Sequence, residues 1–351
     1  MFSEKTKIDL QNVLDEYTSS GKECGCQLAV YHNGKLLYDL ASGWTDESRE
    51  KAVDTETLFP IFSVGKGIMT TLIHVLHEEG LIDYDAPVTH YWKEYGKNGK
   101  EKTLVKDILS HRAGIAHLPD LEKIEDKYNW EYLCRNAEET APILPIGGKH
   151  QYHASIYGVL TGYLAECATG RSLTELLQEK LFAPLGIENM FFTLPDNKYG
   201  NLAKIVNTEN QFYLAHNEKF ALSGLNPSSN GTSNARSLAM LYASLIGDGL
   251  DGKRLISGKT IENATTLCRS SDDPVLPGQW SKFGLGYALC APAEDYGRMF
   301  GHGGACGSEG FADKKTRLAV GFTKNRALKE HPNHEIRNRI SEILELPSRI
   351  W

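Results

Sequence analysis

Phe59-Pro60-Ile61-Phe62-Ser63-Val64-Gly65-Lys66-Gly67-Ile68-Met69 places a serine and a lysine three residues apart at the head of an apolar run that continues through Leu72, Ile73 and Leu76. On a helix, positions i and i+3 share a face, so the Ser63 hydroxyl and the Lys66 amine meet. The positive end of the helix dipole favours negative charge developing at Ser63 and disfavours charge on Lys66, as burial also would. A lysine of lowered pKa can take the serine proton and turn the hydroxyl into a nucleophile. The same Ser-x-x-Lys pattern recurs at Ser19 to Lys22 and at Ser48 to Lys51. The first lies where a helix is ending and the second in a charged stretch, and neither offers shelter. Local context alone leaves a plainer reading open, with Ser63 as an N-cap and Lys66 as a solvated side chain.

Outward from this stretch the pattern changes on both sides. Towards the N-terminus, Ile8, Leu10, Val13, Leu14 and Tyr17 recur at helical spacing over Lys5 to Thr18, with Gly21 as the stop. Two short apolar runs follow, Cys26 to Tyr31 and Lys35 to Ala41, with Asn33-Gly34 between them as a hairpin signal. Beyond Ser63 the chain reads as helices joined by polar loops, among them Val105 to Ser110, Ile156 to Thr169 and Ala235 to Ile246. Strand-like runs return at Phe283 to Cys290, Arg298 to His302 and Leu318 to Thr323, before a closing helix over Asn333 to Leu344. Strands at both ends with helices between predict an α+β fold, an antiparallel sheet flanked by helices and built from both termini. Residues 1–62 and 270–351 are expected to form the sheet lobe and residues 63–269 an inserted, mostly helical lobe, with one catalytic unit in the cleft between them.

Two further segments carry chemistry. Pro145 to Gly158 is a loop running into an apolar helix, and it sets Tyr152 just before the helix start. A phenol near Lys66 could be stabilised as phenolate and shuttle a proton, although most tyrosines are ordinary half-buried aromatics. Gly301-His302-Gly303-Gly304-Ala305-Cys306-Gly307 breaks strand-like sequence with glycines, which often mark close approach of a ligand to the backbone. An N–H from this stretch, with that of Ser63, could form an oxyanion hole; a glycine-rich turn with His302 on the surface is the alternative.

Composition excludes several function classes. The 351 residues are 41% hydrophobic and 24% charged, an ordinary globular balance, with no uninterrupted apolar run long enough for a membrane helix. A net charge of −7, from 38 basic and 45 acidic side chains, and the absence of a basic run argue against nucleic acid as a partner. The start lacks a basic segment, apolar run and cleavage site, and seven cysteines cannot all pair, so a cytoplasmic location with reduced thiols is expected. Cys24 and Cys26 lack a second ligand pair at zinc spacing, and the histidine pairs His74/His77, His150/His153 and His331/His334 form no HExxH. Neither a metal nor a cofactor is expected.

Taken in order, these segments resemble the superfamily of serine β-lactamases, penicillin-binding proteins and family VIII esterases, and within it the class C-like branch. The resemblance runs through Leu58 to Gly80, Leu104 to Gly114 with its Leu-Ser-His-Arg-Ala-Gly signature, Tyr152 to Gly170, Ser237 to Gly252 and Phe283 to Asn325. It implies Ser63 as nucleophile, Lys66 as its partner and Tyr152 as the tyrosine of the second motif. His302-Gly303-Gly304 stands where the family has Lys-Thr-Gly or His/Trp-x-Gly, as substrate-binding residues, and Ala305 would pair with Ser63 as oxyanion donor. Two departures bear on the substrate. The second motif reads Tyr152-His153-Ala154 where β-lactamases have Tyr-x-Asn, and Ala154 cannot hydrogen-bond a substrate amide. His302 replaces a lysine; at an ordinary pKa of about 6.5 it would be a weak, pH-dependent anchor for a carboxylate. Both departures favour cleavage of small carboxylic esters. A β-lactamase, a D-amino-acid peptidase or acyltransferase of the same fold, and a catalytically silent binding or scaffold member remain the competing readings, and oligomeric state is not encoded legibly.

Overall fold

The hairpin is as the sequence predicts. Strands β1 (Gly25–His32) and β2 (Lys35–Gly43) pair antiparallel, and Asn33 and Gly34 both take positive φ, 49° and 73°, which a type I′ turn requires. Burial separates the two strands: β1 is buried on both faces, whereas β2 alternates between buried and accessible positions as an edge strand does. The computed structural model describes residues 2–117, 123–268, 282–290, 295, 297–327 and 335–347. The expected lobe boundary at 269/270, the first two residues of the closing helix and the His331/His334 pair lie outside the described residues.

A small three-stranded sheet, absent from the sequence reading, joins β3 (Phe59–Pro60), β5 (Thr232–Ser233) and β4 (Met190–Phe191) in that order. Two-residue strands leave no periodicity to detect. The main sheet adds β6 (Ala288–Leu289), β7 (Met299–Gly303), β8 (Glu309–Asp313) and β9 (Leu318–Lys324) to the hairpin in the order β2-β1-β9-β8-β7-β6. All of its pairings are antiparallel, so strands from both ends of the chain form one sheet. The expected strand over 283–290 shrinks to β6, because Gly286 sits at φ 92° and a Cβ on Gly284 would collide with the Ala264 carbonyl.

Helix α1 (Glu4–Ser19), capped by Ser3, covers one face of the sheet together with the helix Glu335–Ile343. Leu10, Val13, Leu14 and Tyr17 meet Leu28, Val30, Phe311 and Val320 there. The opposite face receives the helix Ala235–Ala243, which lies within the 63–269 stretch yet packs on β1, β8 and β9. Gly321 makes that approach possible, since a Cβ would strike the Ala235 carbonyl. Helix α2 (Val64–Glu78) has every residue from Val64 to Leu76 buried, as a central helix of a large core must. It lies between the sheet and the helical side, where α3 (Val105–Leu109), α4 (Trp130–Glu139) and α5 (Tyr157–Thr169) pack. No helix among the described residues is long and apolar enough to cross a membrane.

Candidate active site

Ser63 stands at the N-cap of α2, and a strained turn delivers it there. Phe62, immediately before it, takes φ 48°, a left-handed conformation that costs a bulky residue of order 1–3 kcal/mol unless its surroundings enforce it. They do. The Phe62 ring packs 4.2 Å from the His216 ring and 5.7 Å from Tyr213, while Ile61 N donates to Gly231 O at 2.8 Å and Val64 N to Ile61 O at 3.1 Å.

One turn on, Lys66 Nζ donates to Ser63 Oγ at 3.0 Å and to Ser228 O at 2.8 Å. Lys66 is fully buried and has no carboxylate partner among the described residues, and burial lowers its pKa to about 7. A large fraction of Lys66 is therefore neutral at pH 7, able to accept a proton from the hydroxyl it touches. The plainer reading of Ser63 as a side-chain cap fails, because its hydroxyl makes no capping hydrogen bond.

Sequence reasoning missed the segment that aims this amine. Asn226 Oδ1 accepts from Ser228 N at 3.1 Å, Asn226 N donates to Asn230 Oδ1 at 2.9 Å, and Asn230 Nδ2 reaches the carbonyls of Phe192, Ala221 and Gly224. Gly158 N, at the start of α5, donates to Ser228 Oγ at 2.6 Å. The signal was present as Asn226-Pro227-Ser228-Ser229-Asn230, a turn-rich run whose asparagines are buried rather than solvated.

Tyr152 faces the same amine. Lys66 Nζ lies 5.2 Å from its ring centroid, and its hydroxyl is engaged with Ser63. The Leu-Ser-His-Arg-Ala-Gly segment builds the platform beneath it. His111, at φ 59°, accepts from His153 N on Nδ1 at 3.1 Å and from Gln151 N on its carbonyl at 2.9 Å, with its ring 5.1 Å from that of Tyr152. Arg112 donates to Gly148 O and, at 3.0 Å, to Cys268 O. Stabilisation as a phenolate is not favoured at rest: burial raises the Tyr152 pKa, and the hydrogen bond with Ser63 offsets this only in part. Tyr152 is a phenol at neutral pH.

The third segment ends β7. Gly304 has no room for a Cβ because the Ile61 carbonyl occupies that space, so the strand end lies against the turn that carries Ser63. Among the described residues, neither the Ser63 N–H nor the Ala305 N–H has a backbone carbonyl partner, and both residues line one cavity of about 750 Å³. Two donors opening into one space suit a developing oxyanion. Gly303, Gly304, Tyr152 and Ala154 also line it.

His302 does not. It is fully buried, its Nδ1–H donates to Gly303 O at 2.7 Å, and its Nε2 faces the Tyr152 hydroxyl at 3.5 Å. Burial first, then the positive charge of Lys66, lowers its pKa to about 3, against a smaller upward pull from the Gly303 carbonyl. The expectation of a switchable charge on the cleft wall, titrating near 6.5, is therefore corrected: the imidazole is neutral throughout the working range and sits behind the tyrosine. His74 is likewise a core histidine, bonded to Tyr84 and Leu285 O. No metal-holding cluster occurs among the described residues.

The family model described as Beta-lactamase matches residues 10–345. The esterase/β-lactamase LipL of Mycobacterium tuberculosis is 29% identical over 340 residues, covering 87% of this chain and 77% of its own. Among solved structures, a family VIII carboxylesterase superposes with a TM-score of 0.87 at 29% identity, covering 96% of each chain. A penicillin-binding protein homologue from Caulobacter crescentus superposes at 0.85 with 27% identity, covering 97% of each. Matched by the family model over residues 10–345 and superposable on these structures over nearly its whole length, the chain belongs to the β-lactamase family and is a serine hydrolase.

Proposed function

We propose that this protein cleaves small carboxylic esters through an acyl-enzyme on Ser63. The observation that carries the reading is the Lys66 amine, held at about 7 by burial and 3.0 Å from Ser63 Oγ. Ser63 Oγ attacks the ester carbonyl as its proton passes to Lys66 Nζ. The N–H groups of Ser63 and Ala305 receive the oxyanion. As the tetrahedral intermediate collapses, the bond to the alkoxy oxygen breaks, and that oxygen takes a proton from Tyr152, which Lys66 resupplies. Water then attacks the acyl group by the reverse relay and frees the acid and Ser63.

Esters rather than lactams or peptides are supported by what the cavity wall lacks. Ala154 offers no side-chain hydrogen bond to a substrate amide, and the third motif presents glycine backbone while its histidine is turned inward and neutral. The similarity to a family VIII carboxylesterase points the same way, while LipL, an esterase/β-lactamase, is compatible with either bond. A fluorophosphonate should label Ser63, and a nitrophenyl ester should turn over faster than a chromogenic cephalosporin. Preference for the cephalosporin would replace the ester reading with a lactam one, and labelling at another residue would remove both.

A further inference from the structure

The cavity that receives the substrate is mostly apolar, with Phe62, Tyr128, Leu133 and Phe212 on its walls, and among the described residues that line it Lys127 is the one lysine or arginine. No aspartate or glutamate is among the described residues that line it. Among the described residues Lys127 has no ion-pair partner and its side chain no hydrogen-bond partner; Nζ lies 6.0 Å from the Phe212 ring centroid, and the residue is half-buried. Its backbone is fixed from two sides. The Lys127 carbonyl accepts from Asn226 Nδ2 at 2.9 Å, and the Tyr128 carbonyl accepts from Leu225 N at 2.8 Å. Asn226 is the residue that also orients Ser228 under Lys66. Lys127 is thus tied to the frame of the reacting centre rather than carried on an independent surface turn.

A cation on an apolar wall with no acidic side chain among the described residues that line it raises the local potential and draws an anionic group into the cavity, more strongly than in open water because less solvent screens it. Among the described residues that line the cavity, His117 and Tyr128 are the other titratable side chains outside the Ser63–Tyr152 pair; Glu125 and Asp126 adjoin Lys127 in sequence but do not line it. We propose that Lys127 is the specificity-determining residue of this hydrolase and that its substrates are esters bearing a carboxylate away from the reacting carbonyl. This rests on the ester reading above. It also locates the anion anchor at a different wall from β7, whose histidine is turned away from the cavity.

The test compares the para-nitrophenyl half-ester of glutaric acid with its methyl ester, which has nearly the same shape and no charge. The ratio of their kcat/KM values should favour the anion about tenfold in the wild type and shrink with added salt. Lys127→Met should bring that ratio close to one, Lys127→Glu should invert it, and Lys127→Arg should retain it. An unchanged ratio in well-folded Lys127→Met, or an equal fall for both compounds, overturns the proposal. Dissociation constants of both compounds measured on Ser63→Ala, with and without Lys127→Met, separate the two claims. Absent turnover of either compound by the wild type defeats the ester reading, whereas a Kd ratio indifferent to Lys127→Met defeats the role of Lys127.

Discussion

Lys66 and Lys127 are the same side chain in opposite surroundings. Lys66 is fully buried, satisfied by Ser63 Oγ and Ser228 O, and its pKa falls to about 7. Lys127 is half-buried on the cavity wall and, among the described residues, hydrogen-bonded through its backbone alone. Desolvation turns the first into a base, whereas the second is presented at the cavity wall. The lesson is that the chemistry of a lysine here is set by what encloses it, and enclosure is a property of loops far away in sequence: residues 226–230 aim Lys66 and also hold the backbone of Lys127.

The largest effect expected breaks the buried half of this contrast outright. Ser63→Ala should lower kcat by more than about 10⁴-fold, as loss of a nucleophile does. The melting temperature should stay within a few degrees, because the lost hydroxyl faces the cavity and opens no core void. Full hydrolysis by that variant would leave Lys66 a buried amine without a task.

Lys66→Ala and Tyr152→Phe come next, each slowing fluorophosphonate labelling of Ser63 by on the order of a hundredfold or more. Wild-type labelling rates would remove both from the proton relay. The wild-type pH profile sharpens the point. Because Lys66 acts as a base only when neutral, kcat/KM should rise through a midpoint near the value of about 7 and fall about tenfold per unit below it. A profile flat from pH 5 to pH 8 would contradict a desolvated lysine.

The same desolvation predicts a gain in stability when function is removed. The folded pKa of Lys66 is depressed from 10.5 to about 7, so between those values the unfolded chain binds more protons and stability rises with pH. At pH 7 the burial of this amine therefore costs stability. Lys66→Met, of similar length and no charge, should raise it by on the order of 2 kcal/mol, less than the full shift implies because Ser228 O loses its donor. Denaturant unfolding of both proteins at pH 7 and at pH 10 checks the sign, and the advantage of methionine should shrink at the higher pH.

These residues also show how far the sequence could be read. The hairpin at Asn33-Gly34, α2 and the order of the motifs were legible because local rules govern them: a turn that needs positive φ, an apolar helix, serine and lysine on one face. Strand β8 was not legible. Glu309-Gly310-Phe311-Ala312-Asp313 begins and ends on acids, and only the fold reveals that Arg337 and Arg298 partner them in the interior. Ser228 was missed for a related reason, since its role is to point a carbonyl at a residue 162 positions away. His302 was located but its environment was misjudged. A glycine-flanked histidine reads as accessible, whereas tight packing of Gly301 on β8 and of Gly304 on Ile61 draws it inward.

The smallest effect expected is one of no change, and it isolates His302. Its Nδ1–H is committed to Gly303 O, which leaves the lone pair on Nε2 to accept from the Tyr152 hydroxyl at 3.5 Å. Such a contact orients the phenol and does not reach substrate. His302→Gln should therefore lower kcat through Tyr152 and leave the KM ratio of anionic to neutral ester as it was. Lys66, which titrates near 7, can give that ratio a slope between pH 6 and pH 8, and His117 lies on the same wall. An imidazole held at about 3 adds nothing to the slope in that window. Wild type and His302→Gln should show superimposable ratios across it. A slope that disappears in His302→Gln would mean that the imidazole titrates against bound carboxylate, and the anion anchor would then belong to β7 rather than to the wall that holds Lys127.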